Sequence, residues 1–272
     1  MALELMYITN NTEVALIAEK YGTDRIWIDL ETLGKEERQA GMNTVKSKHT
    51  LQDISKIKQI LTKAKLQVRV NPLNINSQNE IEEVISRGAD VVMLPMFRKP
   101  KEVKKFIRYV DKKAKVLLLL ETKTAVDNID EILQIQGIDE IHIGLNDLHI
   151  EYRQKFMFEL LADGTVEMLC EKIKRKNISV GFGGIASLNK GELSAREIIA
   201  EHYRLGSDRV ILSRSFCNCE CKQLKEIEDI FEKGIRELRE YEDWLHSATP
   251  EFFKENKKKV KESVKKILNN MQ

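Results

Sequence analysis

Glu121 and Asp147 are the residues of this chain whose type and setting best suit chemistry. Both lie in the stretch from Lys115 to His149, KVLLLLETKTAVDNIDEILQIQGIDEIHIGLNDLH. Val116 to Leu120 is a continuous apolar run, too short for a helix and suited to a strand buried on both faces. It ends abruptly at Glu121. Thr124 to Ile135 then has helical spacing, with Val126, Ile129, Ile132 and Ile135 on one face. A second strand, Glu140 to Gly144, is followed by Asp147. In a parallel βαβ unit the C-terminal ends of the two strands lie side by side, so the two carboxylates are expected to face one another at the mouth of a sheet. Convergent oxygens there suit a hard divalent cation, Mg²⁺ or Mn²⁺. The alternative is that each carboxylate caps the helix behind it, and spacing alone leaves both readings open.

Arg69 is the next such residue. It stands in LQVRVN, a strand that is otherwise largely apolar, and a guanidinium there needs an anionic partner. Glu31 or Glu121 could supply a structural ion pair. A substrate carboxylate or enolate oxygen could equally be held by the guanidinium fork. An arginine beside two metal-binding carboxylates fits chemistry on a small 2-oxo acid, with metal and arginine together stabilising the enolate. Asp29, Glu31, Arg98, Asn146, Gly183, Gly184 and Ser213-Arg214-Ser215 are the other residues expected at strand ends. The Gly181-Phe-Gly-Gly loop can turn backbone N–H groups toward a carboxylate or phosphate, or be a tight turn and nothing more.

The elements that must position these groups repeat along the chain. Short apolar strands are expected at Glu4 to Thr9, Arg25 to Leu30, Leu66 to Asn71, Asp90 to Leu94, Val116 to Leu120, Glu140 to Gly144, Ile178 to Phe182 and Asp208 to Ser213. A helical stretch follows nearly every one: Asn10 or Asn11 caps the first, Ser77 with Glu80 forms a capping box, and Ser194 caps a later one. Helical material runs from Asn146 to Lys176 with a break at Asp163-Gly164. Gly34 to Lys48 reads as a polar loop, long for a compact domain. Eight evenly spaced strand–helix units predict an α/β fold, a (β/α)₈ TIM barrel, with an open doubly wound sheet as the other solution. Residues 1–220 would form the barrel catalytic domain and 221–272 a C-terminal helical extension, divided by Pro250. The apolar stripe of that extension (Phe252, Phe253, Val260, Val264, Ile267, Leu268) predicts packing on its own barrel or on a neighbouring subunit of a homo-oligomer.

Composition excludes several function classes. Over 272 residues the apolar fraction is 42% and the charged fraction 32%, with a net charge of +2, so bulk electrostatics gives no case for nucleic-acid binding. No apolar run approaches the roughly 20 residues that cross a bilayer, and MALELMYITNNTE lacks the features of a signal peptide. Cys217, Cys219 and Cys221 are spaced too tightly for ordinary disulfides among themselves. Reduced thiols and a cytoplasmic location are expected. A zinc site at these cysteines would need a fourth ligand and usually wider spacing.

LLETKTAVDNIDEILQIQGIDEIHIGLNDL is similar to the metal-binding segment of the HpcH/HpaI aldolase and citrate lyase β-subunit family, whose members are phosphoenolpyruvate/pyruvate-type barrels. VRVNPL resembles that family's substrate-arginine strand, GADVVMLPM its next strand, and IDLETLGKEER a lyase-type D-L-E-D segment. The similarity runs from about Trp27 to Phe216. It implies that Glu121 and Asp147 ligate Mg²⁺ or Mn²⁺, and that Arg69 holds a pyruvate-like group; Asp29, Glu31, Gly183 and Gly184, as strand-end residues, are the further substrate-binding candidates. The implied reaction makes or breaks a carbon–carbon bond next to a pyruvate enolate of a 2-oxo acid. A CoA-ester lyase acting on an acyl-CoA, of the citryl/malyl-CoA type, is the alternative within the family.

The chain departs from the family's pattern at two positions. Aldolase members carry a histidine base directly after the D-x-E segment, where this chain has Thr32. His49-Thr-Leu-Gln-Asp-Ile resembles the residues that follow the family's histidine, as though the intervening loop were longer, which makes His49 the candidate base. The family's partner acid corresponds to Ser86. Loss of the base would instead leave a non-catalytic binding protein that keeps the metal site. His149 is a further, weaker candidate, and His142 is expected in the core.

Overall fold

The computed structural model describes residues 2–34, 48–188 and 190–271. The long polar loop expected from Gly34 to Lys48 lies almost wholly outside the described residues. Eight strands form among them: β1 (Glu4–Ile8), β2 (Arg25–Asp29), β3 (Lys65–Arg69), β4 (Val91–Leu94), β5 (Lys115–Leu120), β6 (Glu140–Ile143), β7 (Ser179–Ile185) and β8 (Arg209–Leu212). Each pairs in parallel with the next, and β8 pairs with β1, so the sheet closes into a barrel. Closure leaves no sheet edge. It also explains why the strands are largely apolar between their charged ends: one face meets the helices and the other meets the barrel interior.

The interior is layered by the two-residue period of the strands. At the N-terminal end, Arg25 and Arg209 converge on Glu140. Arg25 lies 2.6 Å from Glu140, and Arg209 and Glu140 are also paired. Arg25 further meets Gln67 at 3.3 Å and pairs with Glu4. All but Glu4 are buried. Above that end the filling is apolar: Trp27, Val91, Met93, Leu117 and Leu119 form a cluster with Ile8 and Ile211 against it. His142 stands beside that layer, fully buried, with Nε2 3.1 Å from the Gly183 carbonyl. One further step up brings Asp29, Arg69 and Glu121 to the C-terminal mouth.

Several local expectations are corrected. Ser77 does not form a capping box: its hydroxyl accepts from the Asn74 N–H at 2.8 Å, and Glu80 reaches back to Asn71. Ser194 flanks the helix Ala195–Leu205 without a side-chain capping bond. The stretch after β6 breaks twice, into Leu145–Glu151, Glu159–Ala162 and Thr165–Lys174. Gly183-Gly184 does not end β7; the strand continues to Ile185 through a register shift between Gly181 and Gly184. A residue with no side chain can pass that irregularity at positive φ, and Gly183 does so at 53°.

The C-terminal residues form two helices on either side of the Pro250 boundary, Leu224–His246 and Pro250–Asn270. The first packs between the helices Thr12–Lys20 and Ala195–Leu205, in the eighth position of the outer ring. The second lies on Ala195–Leu205 and Glu159–Ala162, where Val260 and Val264 are buried. No helix among the described residues is long and apolar enough to cross a membrane.

Two buried histidines make the fold acid-sensitive. Burial, reinforced by the nearby Arg209 charge, lowers the His142 pKa to about 3. Burial also drives His202 well below its ordinary value, where it stacks on Phe182 at 3.7 Å and shares a 2.8 Å hydrogen bond with Ser207. The unfolded chain takes up these protons below about pH 6.5 and the folded chain does not. Their stabilising effect is therefore full above that pH and is lost as pH falls. Urea unfolding at pH 7 and pH 5 should show a His142→Phe variant losing about 2 kcal/mol less than the parent over that interval. An equal loss in both proteins would exclude His142 as a source of acid lability.

Candidate active site

Register alone brings two site residues together. Asp29 and Arg69 are direct partners across β2 and β3. Their side chains, both turned inward, form a bidentate pair, Nε to Oδ1 and Nη2 to Oδ2, each 2.8 Å. Nη1 of the same guanidinium lies 3.3 Å from Glu31 Oε2, and the group sits 5.1 Å from the Trp27 ring beneath it. Burial works against the charge, but Asp29, Glu31 and Glu121 together hold Arg69 firmly protonated. The segment carrying Asp29 and Glu31 is itself tied down, because Asn71 Oδ1 accepts from the Thr32 and Leu33 N–H groups at 2.9 and 3.0 Å.

Glu121 and Asp147 line one cavity, and the charge of Asp147 acts on Glu121. Glu121 follows Leu120, which pairs with Ile143, so the next residue on β6, Gly144, lies beside it. Asp147 is in the first turn of the helix Leu145–Glu151. The capping alternative does not describe Glu121: Thr122 caps the helix Lys123–Asp127 by accepting from the Ala125 N–H. Glu121 Oε1 accepts instead from the Met96 N–H at 3.0 Å. Met96 holds that N–H in place at φ 54°, a left-handed conformation that costs a non-glycine residue of order 1 kcal/mol or more. Burial first, and the Asp147 charge second, push the Glu121 pKa well above its ordinary value.

Two carboxylates whose mutual charge opposes ionisation, in a buried setting, could hold a divalent cation. Among the described residues no cluster of three or more His, Cys, Asp or Glu is placed to hold a metal. A pair is the number Mg²⁺ commonly takes from a protein, with substrate and water completing the shell. The cysteine triplet makes no such cluster either.

Gly144 is a site residue that sequence reasoning missed. A Cβ there would lie 2.9 Å from Glu121 Cβ and 3.0 Å from its Oε2. Its φ of −83° is open to any residue, so the demand for glycine is one of space. Gly144→Ala is expected to displace the Glu121 carboxylate, costing about 1–3 kcal/mol of stability through overpacking and at least about tenfold in Mn²⁺ affinity. Thermal melts and Mn²⁺ titrations measure both, and unchanged metal affinity would show that Glu121 has room to move.

His49 lines the site although it stands well beyond Glu31 in the sequence. It immediately precedes the helix Leu51–Ile60, whose start is fixed by Asp53 accepting from the Thr50 N–H and hydroxyl at 2.8 and 3.0 Å. Its Nδ1 accepts from the Asp29 N–H at 3.0 Å. A neutral imidazole so bonded carries its proton on Nε2. Ser86 is on an outer helix, its hydroxyl donating to the Glu83 carbonyl. His149 bonds the Leu145 carbonyl within its own helix.

Asp29, His49, Arg69, Glu121, Asp147, Gly183 and Gly184 all line one cavity of about 1060 Å³ at the barrel mouth. Glu31 does not reach it and stands behind Arg69. The floor includes Trp27, whose indole N–H has no hydrogen-bond partner among the described residues.

A closed eight-stranded parallel barrel with charged side chains gathered at its C-terminal mouth is the architecture of a (β/α)₈-barrel enzyme. The model of the HpcH/HpaI aldolase/citrate lyase family matches residues 4–161. Solved structures agree in fold. The HpcH/HpaI aldolase from Desulfitobacterium hafniense DCB-2 superposes with a TM-score of 0.62 at 14% identity, covering 88% of this chain and 93% of that one. An HpcH/HpaI aldolase/citrate lyase family protein from Burkholderia cenocepacia J2315 gives 0.61 at 13% identity, covering 83% and 95%. The citrate synthase SbnG, solved as a variant, gives 0.57 at 16%, covering 78% and 85%. No curated protein matches the chain in sequence. The chain belongs to the HpcH/HpaI aldolase/citrate lyase family, a family of aldolase and lyase enzymes.

Proposed function

We propose that this chain is a divalent-metal-dependent carbon–carbon lyase that acts on a 2-oxo acid through a pyruvate-type enolate, in an aldol or retro-aldol reaction. The observation that carries this reading is the pairing of Glu121 with Asp147 at the same cavity as an arginine already oriented by two carboxylates. Glu121 and Asp147 would hold Mg²⁺ or Mn²⁺. A cation there supplies Lewis-acid stabilisation of the charge that develops on the oxo group.

The chain's own residues do the rest. Asp29 and Glu31 fix the plane of the Arg69 guanidinium, so the group need not reorganise as negative charge grows on a substrate oxygen beside it. Desolvation at the mouth strengthens that interaction. His49 is the group proposed to take the proton from the aldol hydroxyl. Proton uptake at its Nδ1 ends the bond to the Asp29 N–H, so the base works only by giving up that tether. The Trp27 N–H, without a hydrogen-bond partner among the described residues, offers a donor at the cavity floor to a polar group of the substrate.

The test is solvent deuterium exchange into the methyl group of pyruvate, with Mg²⁺ or Mn²⁺ and with EDTA. Exchange should require the metal and disappear in Glu121→Ala. Absence of exchange in the metal-loaded parent, or exchange that survives in Glu121→Ala, would overturn the reading.

A further inference from the structure

A second cavity, of about 820 Å³, lies outside the barrel between the helices Ala195–Leu205, Leu224–His246 and Pro250–Asn270. It is formed wholly beyond residue 161, where the family match ends. Its size is that of a small-molecule site.

One wall is aromatic. Tyr241 and Trp244 stack with centroids 5.7 Å apart and planes 9° from parallel, and Phe252 meets Trp244 edge-on at 4.8 Å. Trp244 nevertheless remains 48% exposed, leaving apolar surface available at the cavity.

The other wall is polar and buried. The Asn256 amide donates to the Glu197 carbonyl at 3.0 Å and to Glu201 Oε1 at 2.9 Å. Glu197 itself is only 5% exposed. Its Oε1 lies 3.1 Å from Lys259 Nζ, but its Oε2 is buried with no hydrogen-bond partner among the described residues. A buried carboxylate oxygen without a donor is costly, and a ligand N–H would relieve that cost.

The charge of the lining selects the ligand's sign. Five glutamates and three cations line the cavity. Two of those cations are engaged: Lys259 with Glu197, and Arg196 over the Tyr241 ring at 4.7 Å. The field favours a positive guest.

We propose that this cavity binds a small primary ammonium carrying an apolar or aromatic tail. The ammonium donates to Glu197 Oε2 and the tail lies on Trp244. Glu197 lines this cavity while its neighbour Ile198 lines the barrel mouth, so one helical turn is a wall common to both. The binding does not depend on the reaction assigned to the mouth.

Isothermal titration of the full chain with phenethylammonium chloride tests this, with 2-phenylethanol as the neutral probe of the same shape. The cation should bind saturably, one per chain, and about tenfold or more tighter than the alcohol. Glu197→Gln should remove that preference. Trp244→Ala, at a half-exposed position that leaves the core untouched, should weaken both probes. Absent binding, equal affinity for cation and alcohol, a preference that survives in Glu197→Gln, or affinity unchanged in Trp244→Ala would each overturn the proposal. Should Glu197→Gln fail to fold, the cation–alcohol comparison and Trp244→Ala decide it.

Discussion

Asp147→Asn is expected to lower metal-dependent pyruvate exchange by about 10³-fold or more while leaving the barrel folded. The change is isosteric and turns one of the two carboxylates proposed to bind the cation into a neutral amide, a much weaker ligand for a hard cation. It also removes the charge that, after burial, does most to raise the Glu121 pKa. The sign of the accompanying effect follows. Glu121 has a raised folded pKa, so in the metal-free parent its stabilising contribution is full below the unfolded value of 4.5 and is lost as pH rises through the folded value. The same proton competes with metal, so Mn²⁺ affinity in the parent should increase with pH over that interval. In Asp147→Asn the metal-free protein should be less destabilised by alkaline pH, and Mn²⁺ should bind weakly throughout. Mn²⁺ titration at pH 6 and pH 8, with melts at each, reads both effects. A variant that binds Mn²⁺ like the parent and exchanges at the parent's rate would remove Asp147 from the site.

Arg69→Lys is the second large effect expected, a loss of about 10²–10³ in kcat/KM carried mainly by kcat. Lysine keeps the charge but loses the fork that meets Asp29 through two 2.8 Å bonds and Glu31 through a third contact. A flexible ammonium cannot satisfy both carboxylates and still present a fixed donor to a substrate oxygen. Arg69→Ala goes further, taking from the buried Asp29 and Glu31 the guanidinium that both contact, at a cost of about 3–5 kcal/mol, so its activity loss would be confounded with stability. Steady-state kinetics of Arg69→Lys beside its melting temperature separates the roles. A fall in stability with unchanged kcat would make Arg69 a structural ion pair.

Much of this site could be read from period and termination. Inward residues recur every second position, so Asp29 above Trp27, Arg69 above Gln67 and Glu121 above Leu119 follow from the strands alone. An apolar run that stops at a charge marks a strand end, and the parallel βαβ rule then brings Glu121 toward Asp147. The resemblance carried the same residues into a family that the match over residues 4–161 bears out. Capping patterns were the weaker guide. Glu80 occupies a capping-box position after Ser77, yet its carboxylate is taken by Asn71, which holds the Asp29 segment, and no local rule contains that competition.

What the sequence determined by itself is therefore the strand–helix repeat, the barrel it closes into, and which charged residues stand at strand ends, since each depends on spacing within one short segment. What only the tertiary structure decided depends on distant segments meeting. Gly144 must lack a side chain because Glu121 occupies its space. His49 enters the mouth because its Nδ1 meets the Asp29 N–H. Met96 adopts a left-handed backbone where its N–H meets Glu121. Trp244 and Glu197, far apart in the chain, share a cavity because the two last helices fold back against Ala195–Leu205. Contacts of this kind follow from packing three-dimensional volumes together, and the order of residues along the chain does not encode them locally.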